Sequence, residues 1–168
     1  DIESSTCLQR LTDPEVTGWQ TLSLSGDEST LASSGRCGRV LLWDLKSEKC
    51  LLQKSFCGTS EHDLIQLNRD GKEFAITNTS DEDNSLQIWR MAEKEPKLQK
   101  SIALGKKTVD CVAVYPDMSA FIFAQAAEGV GKKSFLDHVD SAMYVVDMES
   151  GETLRTMRSH SPFTGIVP

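Results

Sequence analysis

No stretch of this sequence approaches the 18 or so consecutive apolar residues of a membrane-spanning helix, and no membrane partner is expected. The opening residues Asp1-Ile2-Glu3-Ser4 lack the basic and apolar regions of a secretory signal, and they read as a start inside a longer chain. Sustained apolar spacing at helical period is missing too, so little helix is expected. Basic residues are in the minority: 18 Lys and Arg stand against 25 Asp and Glu, for a net charge of −7. They fall in ones and twos rather than in a stripe, so a phosphate backbone meets repulsion and nucleic-acid binding is not expected. The five cysteines, Cys7, Cys37, Cys50, Cys57 and Cys111, are odd in number and contain no CxxC pair. Several sit on strand-like runs, which fits a reduced, intracellular chain in which they act as small apolar residues. The place expected for it is the cytoplasm, with the nucleus as the alternative. Asn78-Thr79-Ser80 spells a glycosylation sequon but, without a secretory signal, is read as chance.

Signatures of catalysis are missing as well. No GxSxG nucleophile elbow is present. Gly129-Val130-Gly131-Lys132-Lys133-Ser134 fails as a phosphate loop at both ends: its first glycine would fall at Ala126, and Lys133 stands where Ser or Thr should follow Lys132. It reads as an inserted loop with two solvated lysines. Asp137, His138 and Asp140 form a His–carboxylate cluster, but two aspartates and one His on a loop do not make the rigid ligand set a metal needs. His62 and His160 stand in connectors with no recognisable order of nucleophile and acid. No catalytic residue, cofactor or metal is expected.

What is present is a repeat. Val40-Leu41-Leu42-Trp43-Asp44-Leu45 recurs as Leu86-Gln87-Ile88-Trp89-Arg90-Met91 and as Ala142-Met143-Tyr144-Val145-Val146-Asp147-Met148. Asp44-Leu45-Lys46-Ser47-Glu48-Lys49-Cys50-Leu51 also aligns with Asp147-Met148-Glu149-Ser150-Gly151-Glu152-Thr153-Leu154, and residues 1–8 fall into the same register. Self-similarity at a period of roughly 40–50 residues marks propellers and other repeat arrays. Each unit divides into four alternating, strand-like runs separated by turn residues. In the first unit these are Trp19–Ser25, Leu31–Gly35, Val40–Leu45 and Cys50–Phe56; Leu64–Leu67, Phe74–Asn78, Leu86–Met91 and Leu98–Leu104 follow in the second. The third has Val109–Tyr115, Phe121–Gln125, Met143–Met148 and Leu154–Met157. Turns are expected at 26–29, 36–39, 69–72, 81–84 and 116–119.

The run Leu31-Ala32-Ser33-Ser34-Gly35-Arg36-Cys37-Gly38-Arg39-Val40-Leu41-Leu42-Trp43-Asp44 resembles the WD40 repeat, whose unit is a four-stranded propeller blade ending in Trp-Asp. The resemblance spans the chain, although Arg90 replaces Asp in the second unit and the third is divergent. It implies an all-β fold of WD40-like blades, each of four antiparallel strands: three full blades plus one strand. Residues 1–12 would be the last strand of a preceding blade. Blades would follow at 13–57, 58–105 and 106–160, with an inserted loop at 127–141, and 161–168 would begin another. Closed propellers hold roughly 4–8 blades, so the chain is expected to be a segment of a larger propeller. WD40 blades often carry a buried His–Ser/Thr–Asp–Trp network; here Cys37 takes the Asp position and no Gly-His stands near Leu11-Thr12-Asp13. The first blade is therefore expected to rely on apolar packing and ladder hydrogen bonds.

The implied role is a non-enzymatic protein-interaction scaffold or sensor. Trp43 and Trp89 read as core at contacts between blades. Trp19 opens an inner strand, where relatives often expose a contact residue, against an equal reading as core. The acidic turn Asp81, Glu82 and Asp83 would meet a basic partner. Phe135 and Leu136, apolar in a polar inserted loop beside His138, would anchor a partner or tuck back on their own blade. The competing reading is a small-molecule or catalytic site at the central channel, built from polar residues of the inner strands. A third is a purely structural segment whose partners are the remaining blades.

Overall fold

Short runs of Val, Ile, Leu, Phe and Trp that alternate with polar residues have no helical face to bury, and they pair as strands. The computed structural model describes residues 6–7, 10–11, 19–35, 38–56, 65–78, 84–93, 95–105, 109–126 and 141–159. Among these residues twelve strands follow in order: β1 Trp19–Leu24, β2 Thr30–Gly35, β3 Arg39–Asp44, β4 Lys49–Ser55, β5 Ile65–Leu67, β6 Glu73–Asn78, β7 Asn84–Arg90, β8 Lys97–Gly105, β9 Val109–Val114, β10 Ala120–Ala126, β11 Ser141–Asp147 and β12 Thr153–Ser159. They form three four-stranded antiparallel sheets in the simple orders β1-β2-β3-β4, β5-β6-β7-β8 and β9-β10-β11-β12. The fold is all-β, three meander blades in sequence. Of residues 1–12, where an extra strand was expected, only 6–7 and 10–11 are described.

Several boundaries differ from the sequence reading: Arg39, assigned there to a turn, opens β3 opposite Ser55. Asn84, assigned there to the acidic turn, opens β7 opposite Gly105 and is buried. Ser141, assigned to the inserted loop, opens β11 between Ala126 and Ser159. All three join through main-chain groups, which the ladder uses whatever the side chain.

The three blades share one irregularity that no composition rule announces. In the outermost pair of each, the register shifts beside the repeated bulky position: between Leu42 and Trp43, Ile88 and Trp89, and Val145 and Val146. The extra residues on the outer strands are therefore Leu51, Gln99 and Leu154, at the same place in each blade. A bulge bends and twists an edge strand away from flat pairing. Lys49 and Lys54, Lys97 and Lys100, and Arg155 and Arg158 add charge along the same outer strands, so each edge is guarded against further strand addition.

Alternation gives every blade two faces. Ala32, Val40 and Leu42 leave the first blade on one side and pack with Ile65, Leu67, Phe74 and Ile76 of the second. Ala75, Leu86 and Ile88 leave the second and pack with Val112, Val114, Phe121 and Val146 of the third. Trp89 lies in the first junction, edge-on to Phe56 at 4.8 Å. In the second junction Phe121, Phe123 and Tyr144 stack in series at 5.8 and 5.0 Å. Apolar burial between blades, not within a blade, is the core. Trp43, at 7% exposure, is buried on the first blade's opposite face, beside Leu24 and Leu31 in the ladder.

Candidate interaction rims

One rim is built from the turns β1–β2, β5–β6 and β9–β10, together with those that follow β3, β7 and β11. In the inner turns an aspartate closes the loop on itself. Asp27 Oδ1 accepts from Ser25 Oγ at 2.6 Å, Ser29 N at 3.0 Å and Ser29 Oγ at 2.8 Å. Asp117 does the same with Ser119, and Asp70 accepts from Lys72 N. In the outer turns Asp44 accepts from Ser47 N and Asp147 from Ser150 N, each at 2.6 Å. Hydrogen bonds to the charged form hold these carboxyls below their ordinary range: Asp27, with the Ser25 hydroxyl as largest cause, is lowered to about 2. Asp117 is lowered chiefly by the Ser119 hydroxyl, Asp44 and Asp147 chiefly by the Ser47 and Ser150 amides. These turn aspartates therefore hold their negative charge at lower pH than ordinary carboxylates do.

The turns are also stitched together. Asp27 N donates to Arg69 O and Arg69 N donates to Pro116 O, both at 2.9 Å, which joins the three inner turns in sequence. Within each blade the outer turn donates to the inner one: Leu45 N to Ser29 O, Met91 N to Lys72 O and Met148 N to Ser119 O. The third residue of each inner turn lies in the left-handed region, Glu28 at φ 60°, Gly71 at 68° and Met118 at 58°. A frame of this kind presents its loops rigidly.

The free edges of the inner strands are covered from the preceding blade. Thr21 Oγ1 accepts from Ile65 N at 3.3 Å and Ser23 Oγ accepts from Leu67 N at 2.9 Å. In the next junction Gln66 bonds both main-chain groups of Val114. Among the described residues, Thr21, Ser23 and Gln66, polar inner-strand residues of the kind a channel site would use, thus hydrogen-bond to the neighbouring blade. Within the second blade Asn68 Oδ1 accepts from Glu73 N, at 3.1 Å. The first blade thus has side-chain clasps beyond the apolar packing and ladder bonds expected of it. In sequence they show only as polar residues alternating with Leu22, Leu24, Ile65 and Leu67.

The same rim carries a cleft of about 430 Å³ between the second and third blades, lined by Glu73, Ile88, Gln99, Lys100, Met118, Ser119, Asp147, Met148 and Glu149. Glu73 is bound by Arg90 at 2.7 Å, and Lys100 Nζ donates to the main-chain oxygen of Glu149. Sequence reasoning did not single out this cleft, because its walls come from turns of two different repeats.

Of the contact residues proposed from sequence, Trp19 opens β1 opposite Gly35, and its side chain lies outside the described residues. Asp81, Glu82, Asp83, Phe135, Leu136 and His138 lie outside them as well, as do Asp137 and Asp140. Their flanking strand ends, Asn78 and Asn84 or Ala126 and Ser141, stand at the ends of the sheets opposite the turn rim. Among the described residues no three His, Cys, Asp or Glu side chains are grouped to hold a metal, and no helix is long and apolar enough to cross a membrane.

No family model matches the chain, and no curated protein matches it. Among solved structures it is similar to the beta-propeller domain of Cps50 (Swd1) from Myceliophteria thermophila, at 11% identity and a TM-score of 0.58. The likeness covers 85% of this chain but only 44% of that one, so the chain spans less than half the length of the propeller it matches. At that identity what is shared is the fold, that of a β-propeller.

Proposed function

We propose that this chain is a non-enzymatic, WD-repeat-like scaffold segment that binds protein partners through its loop rims and continues into further blades. The observation that carries the reading is the stitched frame: three blades locked face to face, with inner turns and inner strands bonded across each junction. Rigid sheets with variable loops are a platform for recognition.

Both end faces support continuation. Leu22 and Leu24 are 65% and 51% exposed, whereas their equivalents Ile65, Leu67, Val112 and Val114 are at most 8% exposed beneath the preceding blade. At the other end Met143 is 44% exposed beside Ala124 in the ladder. Among the connecting stretches, the acidic Asp81-Glu82-Asp83 suits a basic partner, and Phe135 and Leu136 of 127–140 suit an apolar pocket on one. The inner-strand clasps weigh against a ligand site at the channel.

The test is affinity capture with the full chain, unchanged, with Asp81, Glu82 and Asp83 reversed to Lys, and with 127–140 replaced by a short Gly-Ser link. Loss of captured proteins in either variant, with an unchanged melting temperature, supports the reading. An identical set of partners for all three at low salt refutes binding through these rims.

A further inference from the structure

The turn rim holds a second recognition feature, and it differs between the two junctions for a visible reason. Between the first and second blades, the Gly71 turn sits directly on Thr30: a Cβ at Gly71 would lie 2.7 Å from Thr30 Oγ1. No side chain separates them. Between the second and third blades the equivalent places hold Glu73 and Met118, and both line the cleft of about 430 Å³.

The buried part of that lining is apolar: Ile88, Met118 and Met148. Its less buried part holds three acidic residues, Glu73, Asp147 and Glu149, against the one basic residue Lys100. The charges are not all free. Glu73 Oε1 is held by Arg90, Asp147 Oδ1 by Ser150, and Lys100 points to the main-chain oxygen of Glu149. That leaves Glu149, which lines the cleft, is exposed and is in no ion pair among the described residues. The lining carries a net charge of about −2 beside its apolar part, and the Asp147 carboxyl stays ionised at lower pH than an ordinary carboxylate.

From this arrangement we infer that the cleft takes an arginine side chain of a partner polypeptide. An arginine matches it part by part. Its methylene stem covers apolar surface while the head group stays in a polar environment, and a planar fork of N–H donors pairs with the Glu149 carboxylate through two parallel bonds where a compact ammonium makes one. Methionine side chains adapt to such stems. The inference rests on the scaffold reading but concerns a different rim from that of the 81–83 and 127–141 loops.

The test uses the full chain labelled with methyl-13C methionine. The five methionines are Met91, Met118, Met143, Met148 and Met157, and only Met118 and Met148 line the cleft. Titration with N-acetyl-arginine amide should move those two methyl signals saturably and leave the other three in place. N-acetyl-norleucine amide, with a stem but no charge, should not. Glu149→Lys should weaken the arginine response about fivefold or more, and Lys100→Gln should strengthen it. The inference is overturned if neither methyl moves, if all five move together, or if the norleucine amide acts equally. Failure here with partner capture still lost on reversing 81–83 would sink the cleft and leave the scaffold standing.

Discussion

The side-chain amide of Gln66 holds the main chain of Val114 in the neighbouring blade at both of its groups: Nε2 donates to Val114 O at 2.7 Å, and Oε1 accepts from Val114 N at 2.9 Å. One side chain therefore does the work of a further ladder rung across a junction. Gln66→Leu would keep the bulk and leave a main-chain donor and acceptor unpaired, at a cost of about 1–3 kcal/mol. Gln66→Glu keeps an acceptor but loses the donor, and should fall in between. Gln99→Leu, at an exposed position whose amide makes one weak bond to Lys97 O, should shift stability by no more than about 0.5 kcal/mol. Urea midpoints of the three variants check the order, and equal midpoints for Gln66→Leu and Gln99→Leu would refute the clasp.

The left-handed turn residues separate strain from packing. Glu28 and Met118 hold φ near 60°, which costs a non-glycine residue roughly 1–2 kcal/mol. Glu28 is exposed, so Glu28→Gly removes strain and little else and should raise stability by up to about 1 kcal/mol, after the larger unfolded-state entropy of glycine. Met118 is 8% exposed and packs in the core of the second junction. Losing its side chain costs about 2–5 kcal/mol, which outweighs the relief, so Met118→Gly should destabilise. Opposite signs in thermal denaturation are the expected result.

Blade architecture is legible in the sequence because alternation and turn residues report it directly. Leu31 to Asp44, Phe74 to Arg90 and Phe121 to Asp147 each write two paired strands with a connection between. Polar strand ends such as Asn84 and Ser141 are not legible, since the ladder recruits main-chain groups that carry no side-chain signature. Nor are the outer-strand bulges at Leu51, Gln99 and Leu154. Ser23 and Gln66 look like ordinary polar residues of half-buried strands; only the stacking of one blade on the next turns them into clasps. The candidate contacts Asp81, Glu82, Asp83, Phe135, Leu136 and His138 rest on charge and on apolar residues in a polar stretch, and such stretches answer to a partner rather than to the frame. The cleft at Glu149 escapes sequence reasoning for a related reason: Met118 and Glu149 lie in one repeat, Glu73 and Lys100 in another.

Acid sensitivity follows from the aspartate turns. The Asp27 carboxyl is lowered from 3.8 to about 2, so its folded state binds a proton less readily than the unfolded chain does. Its contribution to stability is then fully present above pH 3.8 and is lost as the pH falls toward 2. A carbon-detected titration of the Asp27 carboxyl should show this directly. Ser25→Ala removes the largest cause and should carry the titration back toward 3.8. An Asp27 that titrates near 3.8 in the unaltered, folded chain would contradict the turn geometry.

How closely the first two blades approach can be read from two glycines. Gly71 and Gly151 share a left-handed conformation, φ 68° and 73°. A Cβ on Gly151 would meet nothing within 4 Å, whereas one on Gly71 would lie 2.7 Å from Thr30 Oγ1 and 2.9 Å from Thr30 Cβ. Thr30 has no room to retreat: it is buried on β2, and its amide donates to Ser25 Oγ at 2.9 Å. Gly151→Ala should therefore cost only the backbone term, about 1 kcal/mol, and Gly71→Ala that term plus about 1–3 kcal/mol of overpacking. Thr30→Ala would remove the colliding atoms, so the double variant Thr30→Ala with Gly71→Ala should recover part of the loss, a coupling that independent sites do not show. If the two glycine substitutions lower the melting temperature equally, the blades are not in contact at this turn.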